Sequence, residues 1–226
     1  HYAMGGIEVD FETGRTRIDG LYAVGECTAG VHGANRLGGN SLVETIVFGE
    51  IVGVHIAGTL TSGPGLSDAQ VRDAVDAQNQ RAAADGKHTP AALIDALRQV
   101  MWDGAGILRD EDGLLQGLQQ IQALQAKAQS LDVQAGRTER RYAQANDLRF
   151  MLTTAETIMR SALERTESRG AHFRSDHDEK DPTWMKNIRC VPTGDGRMRV
   201  DTQTADEPSS AVQDALNEGH ELDYHH

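Results

Sequence analysis

The sequence has no excess of positive charge and few cysteines, and each shortage excludes a class of protein. Lysine and arginine number 22 against 34 acidic residues, so the formal net charge is −12. Proteins that bind nucleic acid need basic patches, so this balance argues against such a partner. The two cysteines, Cys27 and Cys190, are too few for a disulfide framework and lack metal-ligand spacing. Scarce cysteine fits a reducing compartment.

Long apolar runs and nucleotide-binding glycine motifs are also missing. No uninterrupted apolar run reaches the roughly 18 to 20 residues of a membrane span. Residues 42–60 come nearest, but glycines, glutamates and His55 interrupt them. We therefore expect no direct membrane span. No G-x-G-x-x-G occurs, so the loop that cradles a dinucleotide pyrophosphate is not in this chain.

The most informative segment is residues 32–42, which reads His-Gly-Ala-Asn-Arg-Leu-Gly-Gly-Asn-Ser-Leu. Its single arginine, Arg36, precedes an apolar helix for which Asn40 or Ser41 can serve as the N-cap. The first amides of a helix have no partner within the helix, so a glycine-flanked helix start favours anions. Arg36 adds a planar fork that suits a carboxylate. The segment therefore predicts an anion site at the start of the helix.

Short strands are predicted before this helix and long helices after it. Residues 6–10 alternate like a strand and can pair with residues 15–18, while residues 21–25 are typical of a buried parallel strand. A linker follows at residues 61–65, and residues 68–84 predict a polar helix. A hairpin is predicted within residues 189–200, and the chain after Asp201 is expected to be solvated and disordered.

Three apolar stripes at helical spacing predict an antiparallel bundle. Thr89 and Pro90 form a good N-cap and first-position pair for the first helix, and Gly170 is a plausible stop for the last. The stripes consist of Leu93, Leu97, Val100 or Met101, and Gly104; of Leu114, Leu118, Ile121, Leu124, Ala128 and Leu131; and of Tyr142, Ala145, Leu148, Leu152, Ala155, Met159 and Ala162.

Three further segments, with residues 32–42, resemble one family. They are residues 1–6, His-Tyr-Ala-Met-Gly-Gly; residues 20–26, Gly-Leu-Tyr-Ala-Val-Gly-Glu; and residues 165–174, Arg-Thr-Glu-Ser-Arg-Gly-Ala-His-Phe-Arg. Their order and content are similar to the flavoprotein subunit of succinate dehydrogenase and fumarate reductase. Four motifs in the same order, spread over most of the chain, are a strong signal.

The resemblance implies an α+β fragment. It consists of the end of an FAD-binding α/β domain (residues 1–60), a linker with a polar helix (61–88), an antiparallel three-helix domain (89–170) and a C-terminal tail (171–226). In the family, the motif that begins at His1 lies past the middle of a much longer subunit, so we expect a C-terminal piece. The family's flavin-attaching histidine and proton-shuttling arginine lie upstream, and no catalytic residue is assigned here.

The resemblance also implies site residues. Glu26 is expected to bind a ribityl hydroxyl of FAD, and the start of the apolar helix, Asn40, Ser41 and Leu42, to lie near the flavin ring. Arg36 and His1 are the candidates for binding the two carboxylates of succinate or fumarate. Each position has a plainer interpretation: a strand-end acid, an ordinary helix cap, a structural salt bridge, or a fraying terminal residue.

The expected function is interconversion of succinate and fumarate by hydride exchange with FAD, with an iron–sulfur subunit as electron partner. The resemblance places such a subunit in the cytoplasm or peripherally at the inner face of the cell membrane, held there by partner subunits. The alternatives are a piece of L-aspartate oxidase, which shares these motifs, and a non-catalytic helical interaction module. The isolated chain is expected to be inactive. Glu167, Arg169, His172 and Arg174 either brace the tail against the flavin domain or form a solvated helix end.

Overall fold

The computed structural model describes residues 2–61, 63, 65–136, 138–205 and 207–217. His1 lies outside the described residues. The helices are α1 (Asn40–Thr59), α2 (Asp68–Ala82), α3 (Pro90–Ala105), α4 (Glu111–Lys127), α5 (Arg140–Glu164) and α6 (Ser210–Asn217), and the strands are β1 (Lys186–Pro192) and β2 (Met198–Thr204). A turn of 3₁₀-helix covers Pro182–Trp184. The predicted α+β class is confirmed.

Helices α3, α4 and α5 pack against one another and enclose the main hydrophobic core. The three predicted stripes supply that core, with Leu114, Ile121, Leu148 and Met159 fully buried. Helix α2 begins with a capping box, in which Ser67 and Gln70 exchange side-chain and backbone hydrogen bonds. Periodicity predicted α3, α4 and α5 because each of these three helices buries a single face.

Helix α1 contrasts with the bundle, because its apolar side chains remain largely exposed. Leu42, Ile46 and Val54 each keep about 70% of their surface, whereas Glu44 and Val52 are buried. By length and composition α1 could cross a membrane, and it is the one such helix within the part of the chain that is described. The face of α1 that contacts the rest of the described chain therefore combines the acid Glu44 with Val52, and most of the other apolar side chains of the helix remain exposed.

Residues 2–39 form turns and single bridges instead of the predicted strands. Ile7 bridges Thr28 in parallel, and Arg15 bridges Tyr22 antiparallel. The prediction that residues 15–18 pair with residues 6–10 was wrong, although the Asp10 N–H donates to the Arg15 carbonyl at 3.0 Å. Residues 21–25 are also not a buried strand in the described chain. A parallel strand needs neighbours in a sheet, and here only single bridges are available.

Strands β1 and β2 form the predicted hairpin, which pairs Lys186 with Thr204 and Pro192 with Met198 and lies against α5. The chain remains ordered further than expected, because β2 continues past Asp201 and α6 follows it. The rest of the segment expected to be disordered, residues 218–226, lies outside the described residues. Helix α5 ends at Glu164, so the prediction that Gly170 stops it was wrong.

Candidate functional site

The Arg36 loop, residues 30–39, contains turns but no regular structure and leads into α1. The guanidinium carbon of Arg36 lies 5.0 Å from the centre of the Tyr2 ring, in a cation–π contact. One terminal nitrogen donates to the Leu37 carbonyl at 3.1 Å. The Nε atom is buried and has no hydrogen-bond partner among the described residues. Arg36 therefore keeps unused donor capacity, as a carboxylate-binding arginine requires.

A buried cluster, formed by Tyr2, His32 and Glu44, fixes the ring beneath Arg36. The Tyr2 hydroxyl donates to the Glu44 carboxylate. His32 Nε2 lies 2.9 Å from the same carboxylate oxygen and 3.0 Å from the Tyr2 hydroxyl. Burial, together with the hydrogen bond to Glu44, raises the pKa of Tyr2 to about 12, so its hydroxyl stays protonated and donates. Tyr2, which follows His1 in the sequence, thus contacts the side chain of Arg36.

Sequence reasoning missed this Tyr2 cluster. Nothing local in the sequence assigns a role to His32, and Glu44 stands there only as one of the glutamates that interrupt the apolar residues 42–60. The available signal was Glu44 itself, because an acid in the second turn of an apolar helix needs a buried partner. The two partners, Tyr2 and His32, stand 42 and 12 residues away in the sequence, so local patterns could not identify them.

Glu26 lies where the motif of residues 1–6 and the motif of residues 20–26 come together. Its Oε1 accepts the Ala3 N–H at 2.9 Å, and the other carboxylate oxygen has no partner within the described chain. Ile7 N–H donates to the Cys27 carbonyl at 2.8 Å, and Ala29 N–H to the Ile7 carbonyl at 3.0 Å. These bonds bring residues 2–7 against residues 26–29. Glu26 therefore lies near the segment that follows His1, with one oxygen free to accept a hydroxyl.

Helix α1 starts one residue earlier than the expected caps allow. Gly39 is the N-cap, with a φ of +83° in the left-handed region, and no side chain caps the helix. The prediction that Asn40 or Ser41 is the N-cap was wrong, because both are already helical. Glycine adopts this conformation without steric cost. Asn40, Ser41 and Leu42 form the first turn, which is at most partly buried, so its uncapped end is open to an anion or a polar ligand edge.

The Gly170 turn, residues 169–172, contacts the Arg36 loop. The Ala171 N–H donates to the Ala34 carbonyl at 3.0 Å. Gly170 has a φ of +58°, and a Cβ atom there would lie 2.2 Å from the Ala34 carbonyl oxygen. The glycine expected to end a helix is therefore a point of close backbone approach between the two motifs.

The Glu167 cluster consists of Arg165, Glu167, Arg169 and Asp181 and anchors that turn. The fully buried Glu167 carboxylate accepts from Arg165 at 2.6 Å, from Arg169 at 2.7 and 2.9 Å, and from the Asp181 N–H at 2.9 Å. Burial alone would raise the pKa of Glu167, but the bonds from Arg169, Asp181 and Arg165 together lower it to about 2. Glu167 is thus an ionised hub, which supports the bracing hypothesis over a solvated helix end.

Arg174 and His172 extend the same arrangement to the bundle. Arg174, almost fully buried, donates to the carbonyls of Ala162, Leu163 and Arg165 at the end of α5, and it pairs with Asp176 at 2.7 Å. A cation there satisfies helix carbonyls that have no partner within the helix.

His172 packs between two arginines. Its Nδ1 lies 2.9 Å from Arg109, and its Nε2 lies 3.3 Å from the Arg165 carbonyl. Burial and the charges of Arg109, Arg165 and Arg174 together lower the pKa of His172 to about 4, although the hydrogen bond to the Arg165 carbonyl acts in the opposite direction. Since arginine only donates, a neutral imidazole accepts at Nδ1 and donates from Nε2.

Possible metal and cofactor ligands were compared with the chemistry of each group. No group of three or more histidine, cysteine or acidic side chains is placed to hold an ion there. The residues expected to bind FAD fit that cofactor chemically. The unpartnered carboxylate oxygen of Glu26 can accept from a ribityl hydroxyl, and the uncapped start of α1 can donate to the flavin.

Comparison with known proteins shows the family to which the chain belongs. Residues 94–214 match the family model described as fumarate reductase flavoprotein C-term, and residues 1–42 match the FAD binding domain. The fumarate reductase flavoprotein subunit of Haemophilus influenzae is 35% identical over 98% of this chain and 39% of its own length. The L-aspartate oxidase of Streptomyces coelicolor is 33% identical over 95% of this chain and 37% of its own.

A solved structure shows the same fold. Mycobacterium smegmatis Sdh1 in complex with UQ1 superposes with a TM-score of 0.88 at 36% identity, covering 96% of this chain and 38% of that one. The chain thus spans somewhat more than a third of the length of these relatives. Because one family model alone covers residues 94–214, more than half of the 226 residues, the chain belongs to the fumarate reductase flavoprotein family.

Proposed function

We propose that this chain is the C-terminal part of an FAD-dependent flavoprotein subunit that interconverts succinate and fumarate. The observation that carries the proposal is Arg36, whose buried Nε has no partner among the described residues and whose guanidinium lies on the Tyr2 ring. Arg36 is therefore a positive charge held in place on a loop of a chain that belongs to the fumarate reductase flavoprotein family. Such a charge suits a substrate with two carboxylates. When bound, FAD supplies the hydride exchange with the central carbon–carbon bond of the substrate.

Each site residue receives a role in this proposal. Arg36 binds one carboxylate through its fork, and His1 donates to the other from the position next to Tyr2. Glu26 offers its free oxygen to a hydroxyl of the cofactor, and the first turn of α1, at Asn40, Ser41 and Leu42, faces its ring. Binding a dicarboxylate at both ends holds its central carbon–carbon bond against the flavin. The reacting atoms are then already oriented for the reaction.

The exposed face of α1 fits the same proposal. Its apolar side chains, including Leu42, Ile46 and Val54, exceed what an isolated surface helix leaves in water. Since the relatives are much longer than this chain, we propose that the rest of the FAD-binding domain covers α1. In that case α1 is a core helix of the FAD-binding domain. We also propose that the boundaries between the parts of the chain lie at residues 60, 88 and 170.

The proposal extends to partners and location. We propose that an iron–sulfur subunit accepts the electrons and that the subunit is cytoplasmic or peripheral at the inner membrane face. Reduced flavin must be reoxidised, by electron transfer to a nearby redox centre, before another turnover can occur. The net charge of −12 agrees with a partner set that excludes nucleic acid.

The proposal is tested on the full-length subunit that contains this chain, by following flavin absorbance without oxygen. Succinate is expected to bleach the flavin, and fumarate is expected to restore its absorbance after chemical reduction. L-Aspartate is the matched alternative, because an L-aspartate oxidase is similarly related. Bleaching by aspartate but not by succinate, with peroxide formed in air, would assign the oxidase activity and overturn the proposal.

Substitution of Glu26 by alanine is expected to weaken FAD binding about tenfold, since a buried cofactor hydroxyl would lose its acceptor. The measurement is an FAD titration of apoprotein, followed by fluorescence quenching. If the flavin is covalently attached, the titration uses a variant that lacks the attaching residue. Glu12→Ala, at another exposed acid of the same region, is the control. Equal FAD affinity of both variants would return Glu26 to an ordinary surface acid.

A further inference from the structure

The Arg36 loop has few internal bonds to hold its shape. Its own turns are closed by Gly33 N–H to the Gly30 carbonyl at 3.2 Å and Asn40 N–H to the Leu37 carbonyl at 3.2 Å. Neither bond includes residues 34–36. The bond at this position comes from outside the loop, from the Ala171 N–H to the Ala34 carbonyl at 3.0 Å. The backbone just before Arg36 is therefore fixed by the Gly170 turn.

This contact leaves no space for a side chain on the turn. A Cβ atom at Gly170 would lie 2.2 Å from the Ala34 carbonyl oxygen, 2.5 Å from its carbonyl carbon and 2.8 Å from its Cβ. All three distances are shorter than any real contact, and two of them involve backbone. Any larger residue must push the Arg36 loop away from the turn.

The turn is rigid enough to act as a support. Arg169 and His172 exchange backbone hydrogen bonds of 2.8 and 3.0 Å across it. Its first residue is held by the bidentate bond from Arg169 to Glu167, and its last by the contact of His172 with Arg109. Glu167 lies just after the end of α5, and Arg109 lies in the α3–α4 connection. A displacement at the contact would therefore move the loop more readily than the turn.

We propose that the Gly170 turn is a positioning element for Arg36, through which the helical bundle sets the geometry of the dicarboxylate site. The turn holds the loop backbone at Ala34, and the Tyr2 ring holds the Arg36 side chain two residues later. With both its backbone and its side chain held, the Arg36 guanidinium can bind a carboxylate in a fixed orientation. This inference rests on the proposed function.

The test compares Gly170 with Gly196 in the full-length flavoprotein. Gly196, in the β1–β2 turn, has a φ of +79° but open space where a Cβ atom would lie, so it carries the same backbone cost without the contact. Alanine at either site incurs the left-handed penalty, whereas asparagine tolerates that conformation and still adds a Cβ. The readout is the Kd of fumarate for the oxidised enzyme, measured by calorimetry, with FAD content measured alongside.

Gly170→Ala and Gly170→Asn are both expected to weaken fumarate binding about tenfold, with full FAD content, while both Gly196 variants bind like the wild type. Equal fumarate Kd values for the Gly170 and Gly196 variants would overturn the positioning role. An effect of alanine without an effect of asparagine would also overturn it, because backbone strain alone would then explain the loss. A wild-type enzyme that fails to bind fumarate would refute the proposed function itself.

Hydrogen exchange of the wild-type protein keeps the proposal testable if the Gly170 variants do not fold. Fumarate is expected to slow amide exchange in residues 30–39 and, together with them, in residues 169–172. Residues 193–197, in the β1–β2 turn, serve as the internal control and should not change. Protection of the loop without protection of the Gly170 turn would contradict the proposed support.

Discussion

Arg36→Lys is expected to lower succinate oxidation by the full-length subunit about a hundredfold, the loss that a small misplacement of a binding group can cause. Lysine keeps the charge but has neither the planar fork nor the flat face that lies on the Tyr2 ring. The FAD content should stay near that of the wild type, because Arg36 is assigned to the substrate and not to the cofactor. The measurements are steady-state kcat and KM with an artificial electron acceptor, and flavin per protein.

The control for this prediction is Arg98→Lys. Arg98 is mostly exposed and pairs with an equally exposed acid, Asp95, at 3.0 Å, so the change should leave both turnover and FAD content unaltered. Near-normal kinetics of the Arg36 variant would remove Arg36 from the substrate site. A loss of flavin in parallel with the loss of turnover would move its role to the cofactor.

The surroundings of Arg36, the candidate substrate-binding residue, could be predicted only in part. Arg36 stands out in the sequence because one arginine occurs among glycines and small residues before an apolar helix. The ring beneath it does not stand out, because Tyr2 and Arg36 meet only after the chain folds. The same holds for Glu44, whose hydroxyl and imidazole partners come from two different motifs. Motifs therefore identify the candidate binding residues, whereas the residues that hold them in place are recognised only from tertiary contacts.

The fold shows the same division between local and distant information. Helices α3 to α5 were predictable because helical periodicity is written within each segment, and their stripes are the core. The predicted strands at residues 6–10 and 21–25 depend on neighbours far away in the chain, and they form only bridges here. The predicted N-cap of α1 was wrong for a local reason. Gly39 takes the left-handed conformation, so the helix starts before the polar residues that resemble caps.

Gly170 is an example of a correct signal with a wrong interpretation. Glycine after a helical stripe predicts a helix end, since glycine accepts a positive φ. The residue does have a φ of +58°, but α5 has already ended at Glu164. The conformation serves a close approach to Ala34 instead. Sequence therefore indicated the backbone geometry at this position, and only the three-dimensional contact indicated its purpose.

Glu167→Gln is expected to destabilise the full-length protein by about 3 kcal/mol at neutral pH, the lower end of the cost of removing one partner of a buried ion pair. The lower end applies because Arg165 and Arg169 keep 16% and 24% of their side-chain exposure, so water can reach the unpaired guanidinium groups. Urea unfolding at pH 7, followed by circular dichroism, measures the change. Asp95→Asn, at an exposed acid, is the control and should shift the midpoint little.

The same substitution should also alter how stability depends on pH. The folded pKa of Glu167, about 2, is below its ordinary value of 4.5, so the unfolded chain takes up its proton first. The stability from Glu167 is therefore complete above pH 4.5 and is lost as pH falls towards about 2. Asp176, whose pKa the Arg174 guanidinium also lowers, contributes with the same sign in both proteins. The wild type should lose more stability than Glu167→Gln between pH 5 and pH 3, and parallel pH profiles of the two proteins would show that Glu167 is not the ionised hub of this cluster.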